Sequence, residues 1–390
     1  MPSAGGDICM GQCGLCPPTA TEYPAAYISL PEGRSLPAKR SLAHESGGFT
    51  FPAPDLDAAH DPGHDFAAMR AAEAVLTAPA TPASIGKCEV RCGTASWTDP
   101  TLLQSGLFYP PDAHDAESRL RFYASRFPMV EVDSSYYAIP ARRMAELWVE
   151  RTPPDFIFNL KAHALMTGQP TEPKRLPATI RNELPRDVAG KVRIYPRDVP
   201  HDLLAEVWAA FLDSIEPLRA SGKLGAIILQ YPRWFMPSRA AAETFADSRR
   251  RLGEIPAAVE LRNRRWFETD ERKRRLSSVL TAERMSLVLV DGPPGLESSV
   301  PPAMQVTDPS LVVIRMHGRR TQAWEARNVA TVERYRYLYD HEQLGEWVDR
   351  VVDLASRADR VHVTMNNCHG NYGTANAIEF RAMLRTLEDS

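Results

Sequence analysis

Eight short apolar runs alternate with helix-like stretches along most of this 390-residue chain, and this alternation limits the fold more than any other feature. The runs occupy residues 90–97, 129–137, 156–163, 224–232, 257–266, 286–292, 311–319 and 360–367. Continuous runs of Val, Ile and Leu are typical of parallel strands that are buried on both faces. Strands that alternate with amphipathic helices form such sheets through right-handed crossovers. We therefore predict an α/β protein built as a single (β/α)8 TIM-type barrel.

The helix-like stretches between the runs support this fold. The clearest covers residues 202–222, where Leu203, Val207 and Phe211 lie on one helical face and Gly222 is expected to end the helix. Further helices are predicted at 115–127, 141–152, 238–252, 268–284, 341–357 and 375–388. Only the Pro-rich connection 292–310 lacks a helical pattern. Neither GxGxxG after the first run nor GxxxxGK[ST] occurs, which excludes the usual nucleotide-binding loops.

The first 84 residues differ from the rest of the chain. They are rich in Ala, Pro, Gly and Ser, a composition that buries too little apolar surface to offset chain entropy. We predict a flexible N-terminal extension over 1–84, with one short helix at 65–77, and a barrel domain over 85–390. Cys9, Cys13 and Cys16 have the C-x3-C-x2-C spacing of radical-SAM cluster loops. They precede the first strand instead of following it, so no cofactor is predicted.

Composition excludes several classes of protein. The net charge of −3 provides no basic field for nucleic acid or for an anionic membrane. No run of 18 apolar residues occurs, and the first residues lack the basic and apolar regions of a signal peptide. Six cysteines are too few for a disulfide scaffold and fit a reducing compartment. We predict a cytoplasmic protein with no membrane partner.

Polar residues gather where the predicted strands end. In a TIM-type barrel these ends form the active-site face. The residues are Glu131, Asp133, Lys161, Gln230, Glu260, Arg262, Asp291, Arg315, His317 and Asn366. Three pairs among them are spaced two apart, which places both members of a pair on one face of a strand. The alternative for the carboxylates is a structural ion pair with a neighbouring cation.

Roles follow from the chemistry of these side chains. Glu260 and His317 are the predicted catalytic residues, because an unperturbed histidine titrates near neutral pH and can move protons. Lys161, Arg262 and Arg315 favour an organic anion or phosphate, held by charge-assisted hydrogen bonds. The other polar strand-end residues are predicted to orient the substrate. The alternative for His317, as for any lone histidine, is a purely structural role.

Four of the seven tryptophans lie at or just beyond predicted strand ends: Trp97, Trp234, Trp266 and Trp324. We predict that Trp97 and Trp266 contribute to substrate binding by stacking, with packing beneath a lid as the alternative. Neither an HExxH motif nor two CxxC motifs in the CxxC…CxxC arrangement of zinc sites occur in the sequence. We therefore predict no metal site.

Nine sequence motifs occur in an order that resembles one known family. They are CGTASW (92–97), LFYPP (107–111), RLRFYASRFPMVEVDSSYYAIP (119–140), W-x3-TPPDFIFNLKAH (148–163), KLGAIILQYP (223–232), VELRNRRW (259–266), VIRMHGR (313–319), RYRYLY (334–339) and MNNCHGNYGTANA (365–377). Over about 85–390 the chain resembles the YecE-like family, or domain of unknown function 72. The resemblance implies a TIM barrel related to the xylose-isomerase and endonuclease-IV types, with no settled activity. Cys92 and the segment NNCHGNYG (366–373) depart from the family pattern.

The predicted function is an enzyme, hydrolase- or isomerase-like, that uses acid/base chemistry on a small anionic, phosphorylated or sugar-like substrate. One alternative is a barrel that binds nucleic acid or protein without turnover. Nucleic acid is not favoured, because acids interleave the basic stretches at 249–251 and 262–275. Another alternative is a metal-dependent phosphodiesterase. The sequence leaves the oligomeric state open.

Overall fold

The computed structural model of the chain describes residues 80–387. Most of the predicted extension, the predicted helix at 65–77 and the three cysteines Cys9, Cys13 and Cys16 lie outside the described residues. A short strand, β1 (Ala83–Ile85), begins two residues before the predicted domain boundary at residue 85. The composition of this region gave no sign of a strand, and β1 exists because it pairs antiparallel with the next strand.

Each of the eight predicted apolar runs contains or overlaps a strand, which confirms those predictions. The strands are β2 (Cys88–Thr94), β3 (Met129–Val132), β4 (Ile157–Lys161), β5 (Leu224–Gln230), β6 (Ala257–Glu260), β7 (Ser286–Asp291), β8 (Val312–Met316) and β9 (Arg360–Met365). They are almost entirely buried, as expected for parallel strands covered on both faces.

The nine strands form one sheet in the order β1-β2-β9-β8-β7-β6-β5-β4-β3. Every neighbouring pair is parallel except β1 and β2. The sheet curls, so that β2 and β3 meet although they are not neighbours in that order. A parallel bridge joins Ala95 to Glu131, and the backbone N–H of Ser96 donates to the Glu131 carbonyl at 2.8 Å. The fold is an α/β fold with a curled, mostly parallel sheet.

The approach of β2 to β3 depends on two residues. A Cβ atom at Gly93 would lie 2.1 Å from the carbonyl oxygen of Met129, so only glycine fits there. The buried hydroxyl of Tyr123 accepts a hydrogen bond from the Thr94 N–H at 2.9 Å and lies 3.2 Å from the Met129 oxygen, to which it donates. Close packing and hydrogen bonding thus hold the two strands together.

Twelve α-helices are described within residues 80–387. They are α1 (Pro100–Ser105), α2 (Ala116–Ala124), α3 (Arg142–Glu150), α4 (Ala178–Glu183), α5 (Arg186–Ala189), α6 (His201–Ala220), α7 (Arg239–Leu252), α8 (Asp270–Ala282), α9 (Thr321–Trp324), α10 (Thr331–Arg334), α11 (His341–Ala355) and α12 (Tyr372–Arg385). The seven predicted helices are confirmed to within a few residues, and the connection 292–310 has none. The shortest helices were not predicted, because one turn carries no periodic pattern.

Three further features complete the fold. Five 3-10 helices lie in the connections: Ser134–Tyr136, Ala164–Thr167, Pro173–Arg175, Pro196–Asp198 and Arg264–Phe267. Between residues 80 and 387, no helix combines the length and the apolar character needed to cross a bilayer. Just before β5, the Lys223 ammonium donates to the carbonyls of Val149 and Thr152 at 2.9 and 2.8 Å. This lysine has its partners at the amino end of the sheet.

Inside the sheet, His362 on β9 lies against Asn159 on β4, with Nδ1 and Oδ1 3.1 Å apart. Burial, followed by the charges of Arg360 and Arg91, lowers the pKa of His362 to about 3. In the unfolded chain the same group titrates near its ordinary 6.5. The folded protein therefore holds a neutral imidazole, and its stabilising contribution is complete above pH 6.5 and declines as the pH falls toward 3.

We expect acid to reduce the stability of the wild type more than that of a His362→Gln variant. Because one proton is taken up on unfolding, the wild type should lose about 2 kcal/mol relative to the variant between pH 7 and pH 5. Urea unfolding at a series of pH values measures this difference. Parallel stability curves for the two proteins would show that His362 is not held neutral by the fold.

Candidate functional site

Arg315 on β8 is the centre of a buried ion cluster at the carboxyl ends of the strands. Its Nε and Nη2 donate to the two carboxylate oxygens of Glu131 at 3.0 and 2.5 Å, and its Nη1 donates to Glu260. Arg315 exposes 1% of its surface and both carboxylates expose none. The alternation of side chains along β3, β6 and β8 turns all three residues to the interior. A single guanidinium therefore joins three strands.

Two further residues complete what we call the central ion cluster: Glu131, Glu260, Arg262, Arg315 and His317. The second oxygen of Glu260 pairs with Arg262 and lies 3.3 Å from Nε2 of His317. Burial alone would raise the pKa of Glu260, but the charges of Arg262 and Arg315 hold it well below its usual range. Glu260 is thus a fixed carboxylate that orders its neighbours.

His317 is neutral and has both ring nitrogens engaged. The Asn366 side-chain amide nitrogen lies 2.7 Å from Nδ1, so the ring proton belongs on Nε2, where it can be donated to Glu260. Burial, followed by the charge of Arg262, lowers the pKa of His317 to about 3. The proton-transfer role predicted for Glu260 and His317 stays a prediction. Their contacts favour a positioning role, because each is saturated by the other and by its neighbours.

Lys161, at the end of β4, is different. It is partly buried, and its Nζ lies 4.4 Å from the centre of the Tyr136 ring. Within residues 80–387 the ammonium forms no hydrogen bond and no ion pair closer than 4.0 Å. Burial, followed by the charge of Arg315, lowers the pKa of Lys161 to about 8. Lys161 is therefore a cation at the site whose N–H donors have no acceptor among residues 80–387.

Asp133 stands one residue beyond the end of β3, level with Lys161 at the end of β4, and among residues 80–387 no ion pair within 4.0 Å joins the two side chains. It follows β3, whose Val132 pairs in register with Leu160 of β4. Burial raises the pKa of Asp133, and the charge of Lys161 opposes that shift. Asp133 is partly buried, so it combines access from solvent with a pKa above the ordinary value of a carboxyl group. We refer to Lys161 and Asp133 as the entrance pair.

Arg262 extends the central ion cluster toward solvent. Its side chain is 13% exposed, its Nη2 donates to Oε1 of Gln230 at 3.1 Å, and its guanidinium lies 5.4 Å from the centre of the Trp324 ring. Gln230 also accepts from Arg315 at 3.5 Å. Arg262 is therefore held in place by a carboxylate, an amide and an aromatic ring, with one side open.

A cleft of about 430 Å³ lies at the same end of the sheet. It is lined by Gly168, Tyr195, Pro196, Arg197 and Trp234. Gln169, next to Gly168, donates to the Gln230 carbonyl at 2.8 Å and accepts from the Tyr136 hydroxyl at 2.9 Å. Gln169 thus connects the edge of the cleft to Tyr136, whose ring lies against the Lys161 ammonium.

The Asp291 carboxylate does not contact the central ion cluster, although its backbone carbonyl accepts from the His317 N–H at 2.8 Å. Its carboxylate accepts from Arg319 at 2.8 Å, from the Tyr339 hydroxyl at 2.8 Å and from the Trp347 indole at 2.6 Å. Trp347 belongs to α11, so Asp291 joins the end of β7 to a covering helix. These partners favour a structural role for Asp291, and the substrate role predicted from its position stays a prediction.

Trp97 and Trp266 also lie in packing positions. Trp97 contacts Trp148 edge to face, with ring centres 5.8 Å apart. Trp266 is buried, and its indole N–H donates to the Phe235 carbonyl at 2.8 Å. These contacts favour packing, the alternative considered for both residues.

Sequence reasoning missed several aromatic and amide residues of the site. Tyr335 lies 5.9 Å from the His317 ring and contacts Trp324, while Tyr136 covers Lys161. Gln169 lies in the insertion after β4, where no strand end marks it. The sequence signal for the two tyrosines was their clustering in the motifs VDSSYY (132–137) and RYRYLY (334–339). Among residues 80–387 there is no group of three or more His, Cys, Asp or Glu side chains arranged to hold a metal ion.

Comparison with known proteins finds relatives that share most of this chain. A family model described as "Protein of unknown function DUF72" matches residues 91–390. UPF0759 protein YunF of Bacillus subtilis (strain 168) is 31% identical over 296 residues, covering 75% of this chain and 93% of that protein. A solved DUF72 family protein from Enterococcus faecalis V583 is 26% identical, with a TM-score of 0.60 over 76% of this chain and 95% of its own. Another, from Thermotoga maritima MSB8, is 26% identical, with a TM-score of 0.59 over 76% and 98%.

Proposed function

The chain belongs to the DUF72 family of proteins of unknown function, and from that premise we propose that it is an enzyme acting on a small anionic substrate by proton transfer. The reaction would take place at the carboxyl ends of the strands. We also infer that the curled sheet closes into a (β/α)8 barrel. The bridge from Ala95 to Glu131 and the close approach of Gly93 to Met129 support that closure.

The observation that carries the proposal is the Lys161 ammonium, which has no hydrogen-bond acceptor within residues 80–387. In the central ion cluster, two carboxylates balance the charges of two guanidinium groups. Lys161 adds a further positive charge, and the carboxylates of Glu131 and Glu260 that act on it are already paired with Arg315 and Arg262. A bound carboxylate or phosphate would supply the missing acceptor, and the partly exposed Arg262 would provide a second contact.

We assign proton transfer to the entrance pair instead of to Glu260 and His317. A general acid or base works best when its pKa lies near the working pH, and it needs a free position toward the substrate. Lys161 has both properties, with a pKa of about 8, and burial raises the pKa of the partly exposed Asp133 above the ordinary value of a carboxyl group. Glu260 and His317 then hold Arg262 and Arg315 in place, and Gln230 orients the guanidinium of Arg262.

We expect a Lys161→Met variant to bind inorganic phosphate at least about tenfold more weakly than the wild type, since it loses a hydrogen bond to a charged group. Its free energy of unfolding should stay within about 1 kcal/mol of the wild type, because the ammonium forms no hydrogen bond within residues 80–387. Isothermal titration calorimetry and urea unfolding measure the two quantities.

The matched control is Lys223→Met, which removes a lysine with three acceptors at the other end of the sheet. This variant should lose about 2–3 kcal/mol of stability and keep its phosphate affinity. Equal phosphate binding by the wild type and the Lys161→Met variant would contradict an anion site at the entrance pair.

Catalysis itself is tested by solvent exchange. The protein is incubated in D2O with a panel of phosphorylated sugars and sugar acids, and NMR detects loss of a carbon-bound proton. Exchange by the wild type that is absent in the Lys161→Met variant supports the proposal. Two results would instead favour the alternatives: binding to single-stranded nucleic acid that weakens steeply with salt, or phosphodiester hydrolysis that requires an added divalent metal.

A further inference from the structure

We propose that Lys161 is a nucleophile that forms an imine with the carbonyl group of the substrate. The substrate class is then an aldehyde or ketone that also carries a carboxylate or phosphate group. This inference rests on the proposed function, because Arg262 would bind the anionic group while Lys161 attacks the carbonyl carbon beside it.

The surroundings of Lys161 are those that a nucleophilic amine requires. A lysine paired with a carboxylate keeps its proton and has no free lone pair. Lys161 has no such pairing within residues 80–387, and on one side it contacts only the face of the Tyr136 ring. Lys223 provides the contrast within the same chain, because its ammonium is fixed by three oxygen acceptors. Lys161 and Lys223 therefore differ in that only Lys223 has oxygen acceptors for its ammonium among the described residues.

The charges around Lys161 favour the neutral amine. Burial and the nearby guanidinium groups of Arg315 and Arg262 disfavour a further positive charge, and they outweigh the carboxylates of Glu131 and Glu260. At a pKa of about 8, roughly a tenth of the molecules hold a neutral amine at pH 7. This is roughly 300-fold more than for a lysine with the ordinary value of 10.5.

The step balances without an oxidant or a reductant. The Nζ lone pair of neutral Lys161 attacks the carbonyl carbon, and the carbonyl π pair moves to the oxygen. Asp133 takes a proton from the nitrogen and delivers it to the oxygen, which gives a carbinolamine. A second proton on that oxygen lets it leave as water while the nitrogen lone pair forms the C=N bond. In total, amine, carbonyl compound and one proton give a protonated imine and one water.

Borohydride trapping tests the inference with the full chain. Pyruvate and dihydroxyacetone phosphate serve as separate probes, because both combine a carbonyl group with an anionic group. Borohydride reduces an imine to a stable secondary amine, and peptide mass spectrometry locates it. We expect a single adduct on the peptide that contains Lys161. A Lys174→Met control removes an exposed lysine paired with Glu172 and should leave that adduct unchanged.

A Lys161→Arg variant separates this inference from the proposed function. Arginine keeps the positive charge, so phosphate binding should persist, but it cannot form the imine. Loss of trapping with retained phosphate binding supports the inference. If the wild type binds phosphate but neither probe is trapped, or if Lys161→Arg is trapped to the same extent, the inference is overturned and the proposed function stands. Absence of phosphate binding by the wild type contradicts the proposed function itself.

Discussion

Replacing Arg315 with methionine is expected to lower the free energy of unfolding by about 3–5 kcal/mol. The substitution keeps much of the side-chain volume but removes the guanidinium that binds both Glu131 and Glu260. Both carboxylates are fully buried, so water cannot replace the lost partner. Two negative charges would then remain in the interior, with only Arg262 still paired to one of them.

Urea unfolding monitored by tryptophan fluorescence measures this loss. The control is Arg143→Met on α3, which breaks exposed ion pairs with Glu146 and Glu150 and should cause no measurable change. A double variant, Glu131→Gln with Arg315→Met, should recover part of the loss, because one unpaired charge is removed. A loss below about 1 kcal/mol for Arg315→Met would mean that the buried cluster does not stabilise the fold.

Replacing Gly93 with alanine is expected to cost about 3 kcal/mol, near the upper end of the range for overpacked sites. The added Cβ would lie 2.1 Å from the backbone oxygen of Met129, and a backbone atom cannot move aside as the end of a side chain can. Strand β2 would have to move away from β3, which weakens the hydrogen bond from Ser96 to the Glu131 carbonyl.

Gly345→Ala in α11 is the matched control. There the nearest atom to an added Cβ is the terminal methyl of Met383 at 3.6 Å, an ordinary contact. Alanine at this helical position should raise stability by about 0.5–1 kcal/mol. Hydrogen exchange of the Ser96 amide gives a local measure, and it should be faster in Gly93→Ala only. Equal stabilities for the two glycine variants would show that β2 and β3 are not in close contact.

The fold could be predicted because its signals are local. Each parallel strand is a short apolar run, and a helix such as α6 presents an apolar stripe that the sequence displays directly. Strand β1 could not be predicted in this way, because three residues in a Pro- and Ala-rich region contain no pattern. It forms only through its pairing with β2.

The site could be predicted in part. The two-residue spacing of Arg315 and His317 correctly placed both on the interior face, because side chains alternate along a strand. Their partners were not predictable from spacing. Asn366, 49 positions from His317, occupies its second nitrogen, and Arg319 engages Asp291. A residue's position along a strand tells which face it shares, but only the folded chain shows how many of its donors and acceptors are already used.

The order of the cluster residues along the chain makes its assembly a late event in synthesis. Glu131 leaves the ribosome 184 residues ahead of Arg315, its bidentate partner. Until that arginine emerges, a growing chain that collapses early would have to bury a carboxylate without this counterion, which is costly. The pair of Glu260 with Arg262 can form earlier, but the ion pairs of Arg315 that join β3 and β6 form only when β8 arrives.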